Sequence, residues 1–206
     1  MQRIITLIVF ILFPCMCVSL NYNELSNNYL IIVGDNVNIR IEPNIKSEII
    51  LKLNIGDKVK VLKRLNNKII INGAEGIWIY IDSCRYKNDN LDETIKGWVF
   101  SNYAVSINQF KLLNNICQFQ IVGWVGDYLL SYNVYGNGSY KRKIYDYDHN
   151  KYISGITGRI YKFNRVLLAL DNDKKGYEIF YFVGDNKICS PKSDMDGKYI
   201  CAECRN

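Results

Sequence analysis

The stretch that decides the fold of the first half of the chain is Val37-Asn38-Ile39-Arg40-Ile41-Glu42-Pro43. Apolar and polar residues alternate up to Ile41, so the three branched apolar side chains share one face of a strand while Asn38 and Arg40 share the other. Pro43 suits the end of a strand because the residue before a proline is pushed into extended backbone. The stretch therefore predicts a β-strand with one apolar face.

The next segments continue this pattern. Gly56-Asp57 predicts a turn, and Lys58-Val59-Lys60-Val61 predicts a second alternating strand. Ile69–Ile71 and Ile77–Ile81 flank Asn72–Gly76, which predicts a hairpin between these two isoleucine-rich runs. Helical periodicity is almost absent, so the sequence predicts an all-β protein.

The second half has longer and more aromatic apolar runs, separated by turns rich in Gly, Asn and Asp. This spacing is typical of an antiparallel meander that forms a sandwich or an open barrel. We expect this β-rich domain over residues 117–206, after a boundary between Val105 and Cys117. The predicted strands are Gln118–Val125, Tyr128–Tyr135, Ser139–Tyr147, Ile160–Leu170 and Tyr177–Val183.

Four blocks of the first half resemble the bacterial SH3 domain family in order and spacing. That family opens with Leu-Asn-Val-Arg and a Pro two residues later, which Val37–Pro43 matches, and Gly56-Asp57 matches its turn. Gly76-Ile77-Trp78 resembles its Gly-Trp strand with one extra residue, and Gly97–Ala104 resembles its closing Gly-Trp-Val-x-Ser-x-Tyr-Leu. The resemblance covers residues 29–105 and implies a small β-barrel.

The sequence departs from the family pattern at three places. Glu42 replaces the small residue usual before the proline, Ala104 replaces the closing leucine, and Asp82–Glu93 is interpreted as an inserted loop. On the polar face of the opening strand, we expect the Arg40 guanidinium to donate hydrogen bonds to loop carbonyls.

The resemblance also implies an aromatic-lined groove that binds a cell-wall peptide or a protein segment. The candidate ligand-binding residues are Trp78, Tyr80 and Tyr103. Alternation places Trp78 and Tyr80 on the face opposite the isoleucines of the same run. Trp98 is expected in the core, and burial in the core is the alternative for Trp78, whereas Tyr80 and Tyr103 are the aromatic residues least needed there.

Residues 1–19 have the features of a cleaved secretory signal peptide, with a weakly basic start, an apolar run over Ile4–Phe13, and Cys17 and Ser19 at the small-residue positions of a cleavage after Ser19. The alternatives are lipid attachment at Cys15 or Cys17 and an uncleaved anchor. A short helix is expected only near Asn23–Asn27. The sequence predicts an exported, periplasmic or envelope protein that contacts a membrane only if its N-terminus is lipidated or uncleaved.

The charge pattern argues against a nucleic-acid partner. The net charge is +6, but the basic residues are scattered between apolar ones. The longest basic cluster, Lys141-Arg142-Lys143, is shorter than the runs of about five to eight that mark nucleic-acid patches.

Removal of the signal peptide leaves five cysteines, which should pair in an oxidising compartment with one thiol left over. We predict a structural disulfide from Cys189 to Cys201 or Cys204. Zinc and redox chemistry are the alternatives for Cys201-Ala202-Glu203-Cys204, but zinc needs four ligands, usually two such pairs. The five cysteines are Cys84, Cys117, Cys189, Cys201 and Cys204.

The sequence shows no catalytic constellation and implies no cofactor. His149 is the only histidine and lies in the polar run Asp146–Asn150, which predicts a turn. Asp171–Gly176 resembles the start of a calcium loop, but Lys175 occupies a ligand position and Phe182 stands where a bidentate Glu is needed. We therefore interpret this run as a hairpin turn.

Together these features predict a non-enzymatic envelope protein that binds a cell-wall peptide or an envelope protein through the SH3-like domain. The alternative is a scaffold or interaction protein whose C-terminal β domain binds the partner, while the barrel acts as a spacer.

We predict that the mature chain begins between Cys15 and Tyr22, because the apolar run ends there. N-terminal sequencing and intact mass of the exported protein measure this. A chain that retains Met1 would contradict cleavage, and a lipid-sized mass increment on Cys15 or Cys17 would favour the anchor.

Overall fold

The computed structural model describes residues 28–87, 90–125, 128–146, 148–173, 177–193 and 199–205. The predicted signal peptide and the helix near Asn23–Asn27 lie outside this range. Strands dominate the described residues, together with two short 3-10 helices, Ser101–Tyr103 and Ile107–Gln109. The all-β prediction is confirmed. Among the described residues, no helix is long and apolar enough to cross a membrane.

Nine strands lie before residue 106, and seven of them form one sheet in the order β3-β2-β8-β7-β4-β1-β9. Its inner face is a core of branched side chains in which Ile39, Val59 and Ile81 are fully buried. Asn38 and Arg40 lie on the opposite, half-buried face, as the alternation predicts. The strands are β1 Tyr29–Ile32, β2 Val37–Arg40, β3 Ile49–Leu53, β4 Lys58–Arg64, β5 Ile69–Ile71, β6 Ala74–Gly76, β7 Trp78–Lys87, β8 Asn90–Phe100 and β9 Ala104–Val105.

The hairpin at Asn72–Gly76 exists, but its pairing differs from the prediction. Asn72 and Gly73 both have positive φ, 50° and 81°, which is the two-residue turn that fits the twist of a hairpin. Ile71 is therefore opposite Ala74, and β5 pairs with β6 instead of with Ile77–Ile81.

Two further expectations about the first half are wrong. Asp82–Glu93 is not an inserted loop, because β7 runs on to Lys87 and β8 begins at Asn90, so the segment is a long hairpin. The comparison with the family pattern suggested a loop, but paired strands satisfy their backbone hydrogen bonds whatever their side chains. Ile41 does not continue the apolar face, since β2 ends at Arg40 and leaves Ile41 51% exposed.

The second sheet is a meander in which consecutive strands from β11 to β18 are neighbours, while β10 pairs with β14. Gln118 and Arg205 exchange two backbone hydrogen bonds of 2.9 Å, which bring the first and last strands together into a nearly closed barrel. The strands are β10 Lys111–Leu112, β11 Phe119–Val125, β12 Tyr128–Val134, β13 Ser139–Asp146, β14 Lys151–Phe163, β15 Val166–Asp171, β16 Tyr177–Val183, β17 Lys187–Ser193 and β18 Tyr199–Glu203.

The predicted strand Ile160–Leu170 is in fact divided. Asn164 adopts a positive φ of 51° and lies in a tight turn between β14 and β15. The turn was missed because the run contains neither Gly nor Pro, and Asn is the residue that tolerates this backbone region best after Gly. β17 and β18 were also not predicted.

Strand β15 is buried on both of its faces. Leu167 and Ala169 point into the second barrel, where they pack with Phe180. Val166 and Leu168 point outward into a second apolar cluster. That cluster joins the two sheets through Ile31, Ile55, Val105, Ile107, Phe110, Val166, Leu168, Ile179, Tyr181 and Cys189.

The segment between the sheets is part of this shared cluster. Ile107 and Phe110 are 3% and 7% exposed, and Ser106 caps the 3-10 helix between them by accepting a hydrogen bond from the Asn108 amide. Asp35 and Arg165 form an exposed ion pair across the same junction. Surface pairs contribute little, so apolar burial provides most of the stabilisation.

Two disulfides lie in the second barrel, and the one between Cys189 and Cys201 links β17 to β18. Cys189 pairs with Cys201, which is one of the two predicted alternatives, and Cys204 pairs with Cys117, which was not predicted. Cys117 immediately precedes the Gln118–Arg205 bridge, so its disulfide joins the two ends of the barrel. The side chain of Cys84 lies outside the part of the chain that the structure describes.

We expect Leu168→Ala to lower the free energy of unfolding by about 2–5 kcal/mol, because it opens a cavity between the two barrels. Denaturant unfolding of the full chain measures this loss. Val183→Ala is the control, since Val183 is 45% exposed. An effect of Leu168→Ala no larger than the control would contradict the shared core.

The two disulfides should stabilise the fold to different extents. Their sequence separations are 87 residues for Cys117–Cys204 and 12 for Cys189–Cys201. In the chain-entropy description these loops correspond to about 4–5 and about 3 kcal/mol. Urea unfolding of the two double Cys→Ser variants should show the larger loss for the Cys117–Cys204 pair, and the reverse order would refute this account.

Candidate binding site

Tyr80 and Trp98 form the centre of a side-chain row on the outer face of the first sheet. They are directly opposite each other on β7 and β8, and their ring centroids are 5.1 Å apart. The neighbouring residues Ile79, Ile81 and Val99 point into the core, so alternation places both aromatic rings outside it. Both residues are half-buried.

Cations flank this aromatic pair on both sides. Arg40 is the cross-strand partner of Trp98, and Lys63 is the partner of Tyr80. Ile49 of β3 is the cross-strand partner of Arg40, so one row of side chains crosses the five neighbouring strands β3, β2, β8, β7 and β4. The row offers flat apolar rings between two positive charges.

Arg40 also shapes the loop beside the row. Its Nη1 donates a hydrogen bond of 2.5 Å to the backbone oxygen of Ser47, which confirms the predicted contact with a loop carbonyl. The Ser47 hydroxyl accepts a hydrogen bond of 2.9 Å from the Glu42 amide. This loop carries Ile45, which is 55% exposed and adds an apolar rim near Ile49.

Trp78 belongs to the core and not to the ligand-binding surface, so its assignment as a binding residue is corrected. It is 5% exposed and packs edge-on against Phe100 at a centroid distance of 5.9 Å. The chain at Gly76 covers Phe100, where a Cβ would lie 2.7 Å from the ring. Alternation alone could not show this second layer, because it comes from the β5–β6 hairpin.

Tyr103 contacts the same Phe100 ring as Trp78 does. It is 40% exposed and meets Phe100 edge-on at 6.2 Å. Its backbone oxygen accepts a hydrogen bond of 2.9 Å from the Val33 amide, which fixes the 3-10 turn that carries it. Tyr80 and Tyr103 are thus both at the surface, but the buried Trp78–Phe100 pair lies between them.

Trp98 was predicted to lie in the core. In the structure it is half-buried and lies opposite Tyr80 in the row. The signal was present in Gly97-Trp98-Val99, because a buried Val99 requires its neighbour to face outward. The row can stack on planar or apolar groups and attract a carboxylate with Lys63 and Arg40.

His149 is in an exposed turn, as predicted. Its Nδ1 lies 2.8 Å from Asp146 Oδ2, and its backbone amide donates to Asp146 Oδ1. Burial alone would raise the pKa of Asp146, but these hydrogen bonds outweigh it and lower the pKa. Among the described residues, no group of three His, Cys, Asp or Glu side chains is arranged to hold a metal.

A polar cluster lies inside the second barrel. Asp171 accepts hydrogen bonds from the Tyr140 hydroxyl and, at 3.2 Å, from Arg142, so its carboxylate serves this cluster instead of a calcium loop. The Tyr132 hydroxyl donates to Glu178 at 3.1 Å. Burial, followed by the nearby carboxylates, raises the pKa of both tyrosines. With Tyr140 2% and Asp171 4% exposed, the cluster stabilises the barrel and is closed to ligands.

Comparison with known proteins adds one match. Residues 35–105 match the family model of the bacterial SH3 domain, which covers about a third of the chain. No curated protein and no solved structure matches the chain. The match begins at Asp35 and so does not include β1. In the structure β1 nevertheless belongs to the same sheet, because it pairs with β4 and β9. Residues 35–105, which form most of the first sheet, are therefore a bacterial SH3 domain, as the four sequence blocks predicted.

Proposed function

We propose that the protein is an exported, non-catalytic binding protein of the cell envelope, and that its SH3 domain holds a cell-wall peptide or a protein segment. The observation that carries the proposal is the Tyr80–Trp98 pair between Arg40 and Lys63 on the outer sheet face. Bacterial SH3 domains commonly bind cell-wall or protein partners. The two structural disulfides are consistent with an extracytoplasmic protein.

The chemistry of the row fits a peptide that carries a carboxylate. Apolar parts of the peptide can lie across the rings of Tyr80 and Trp98, while Lys63 attracts the carboxylate. The exposed isoleucines beside Arg40 offer a surface for one further apolar side chain. Tyr103 extends the site if the ligand passes over the buried Trp78.

The position of the histidine supports a non-catalytic role. A nucleophile needs a base within hydrogen-bonding reach. The only histidine is engaged with Asp146 on the second barrel, on a different sheet from the aromatic row.

We expect Tyr80→Ala to weaken binding of peptidoglycan stem peptides, freed of glycan by an amidase, by about tenfold. The loss of one stacked ring costs roughly 1–1.5 kcal/mol. Lys63→Gln should weaken binding less and should reduce its dependence on salt. Calorimetric titration of the full chain measures both effects, and Tyr103→Ala reports whether the site reaches the 3-10 turn.

The matched control is Tyr152→Ala, which removes an exposed tyrosine from the second barrel. Melting temperatures of all variants should stay close to that of the unaltered protein. Stem peptides that do not bind, or that bind Tyr80→Ala and the unaltered protein equally, would overturn the peptide assignment.

A further inference from the structure

The outer face of β11–β14 on the second barrel forms a broad groove that the SH3 domain does not contribute to. The groove has a volume of about 490 Å³, within the range of ligand clefts. Its lining combines tyrosine rings, uncharged amides, a hydroxyl, a lysine and the aliphatic side chains of Val122 and Leu129. The polar and aromatic lining residues are Gln120, Ser131, Asn133, Lys143, Tyr145 and Tyr152.

The two tyrosines form an edge-on aromatic pair. Tyr145 and Tyr152 are opposite each other on β13 and β14, and their rings meet edge-on at 5.1 Å. Tyr152 is 67% exposed, so one of its faces is open to a ligand. Lys143 Nζ lies 5.7 Å from the centre of the Tyr152 ring, which holds a positive charge beside the aromatic surface.

The neighbouring strands carry a hydrogen-bonding strip. Gln120 Nε2 and Asn133 Nδ2 both donate to the Ser131 hydroxyl, at 3.2 and 3.3 Å. These bonds fix the two amides in place and leave each with a carbonyl oxygen that can accept from a ligand hydroxyl. A second groove of about 410 Å³ shares Gln120 and Asn133 and extends the strip towards Arg205.

The charge on the outer face of β11–β14 has one sign, whereas Glu203 of β18 lines the adjoining groove. Asp146 is the only acidic residue of these four strands, and it is 6% exposed on the inward side. Lys141 and Lys143 are exposed on the outward side, whereas Arg159 is engaged with Asn114 at 2.8 Å. Gly155 lies opposite Lys143, and a Cβ there would meet only Lys141 at 3.8 Å, so the space beside the lysines is open.

We propose that this face binds a linear glycan that carries carboxylate groups. Tyr152 stacks on the apolar face of a sugar ring, the amide strip takes its hydroxyls, and Lys143 and Lys141 pair with its carboxylates. Lys141 and Lys143 are too few for a nucleic acid, which typically requires about six to ten phosphate contacts. The site is separate from the Tyr80–Trp98 row, and so its occupancy does not depend on peptide binding there.

The test uses polygalacturonate, a linear chain of uronic acids, with the full-length protein. We expect it to bind, and we expect neutral dextran of the same length to bind at least about tenfold more weakly. Tyr152→Ala and Lys143→Gln should each reduce affinity by about five- to tenfold, the second with a smaller salt dependence. Tyr80→Ala and Lys52→Gln are the matched controls on the first sheet and should leave affinity unchanged.

Three outcomes would overturn the proposal. The first is no binding of polygalacturonate, and the second is binding that Tyr152→Ala and Lys143→Gln leave unaltered. The third is binding of single-stranded DNA or of anionic vesicles as tightly as polygalacturonate, since the face would then attract any polyanion. Tyr80→Ala should change only the affinity for the peptide, and Tyr152→Ala only the affinity for the glycan. Failure of the glycan proposal is therefore distinguishable from failure of the peptide proposal.

Discussion

The double burial of β15 holds the molecule together. Its side chains alternate between the interior of the second barrel and the apolar layer that the SH3 domain covers. Without that cover, Val166 and Leu168 would expose two branched chains next to Ile179 and Tyr181, a patch of the kind that soluble proteins rarely leave open. The SH3 domain therefore completes the fold of its neighbour as well as its own.

This junction also decides which surfaces remain for binding. The face of the SH3 domain around Ile31 and Val105 is occupied by the second barrel. The Tyr80–Trp98 pair lies on other strands, β7 and β8. The groove proposed to bind a glycan lies on β11–β14, and its lining residues are not on β15 or β16. Each barrel thus uses one part of its sheet for the shared core and keeps another part for a ligand.

The SH3 fold could be predicted from the sequence, because short alternating runs such as Val37–Arg40 and Lys58–Val61 determine which face of each strand is buried. Alternation also placed Tyr80 outside the core because it is a local property, whereas Tyr103 lies in a 3-10 helix to which strand alternation does not apply. The sequence could not place Trp78, whose burial depends on a hairpin that folds over Phe100 from elsewhere in the chain. Nor could it find the Cys117–Cys204 pair, because 87 residues separate the two and only barrel closure brings them together. The turn at Asn164 was missed for a different reason, as Asn adopts its positive φ there without a glycine signal.

The disulfide between Cys117 and Cys204 has a mechanical consequence. It encloses almost the whole second barrel in one covalent loop. Tension applied through residues outside that loop passes from Cys117 to Cys204 directly through the sulfur–sulfur bond. The enclosed strands carry none of this load, and the roughly 300 Å of chain that an 87-residue segment would release on extension stays locked. Under a pulling force the SH3 domain would yield first, while the barrel behind it kept its shape.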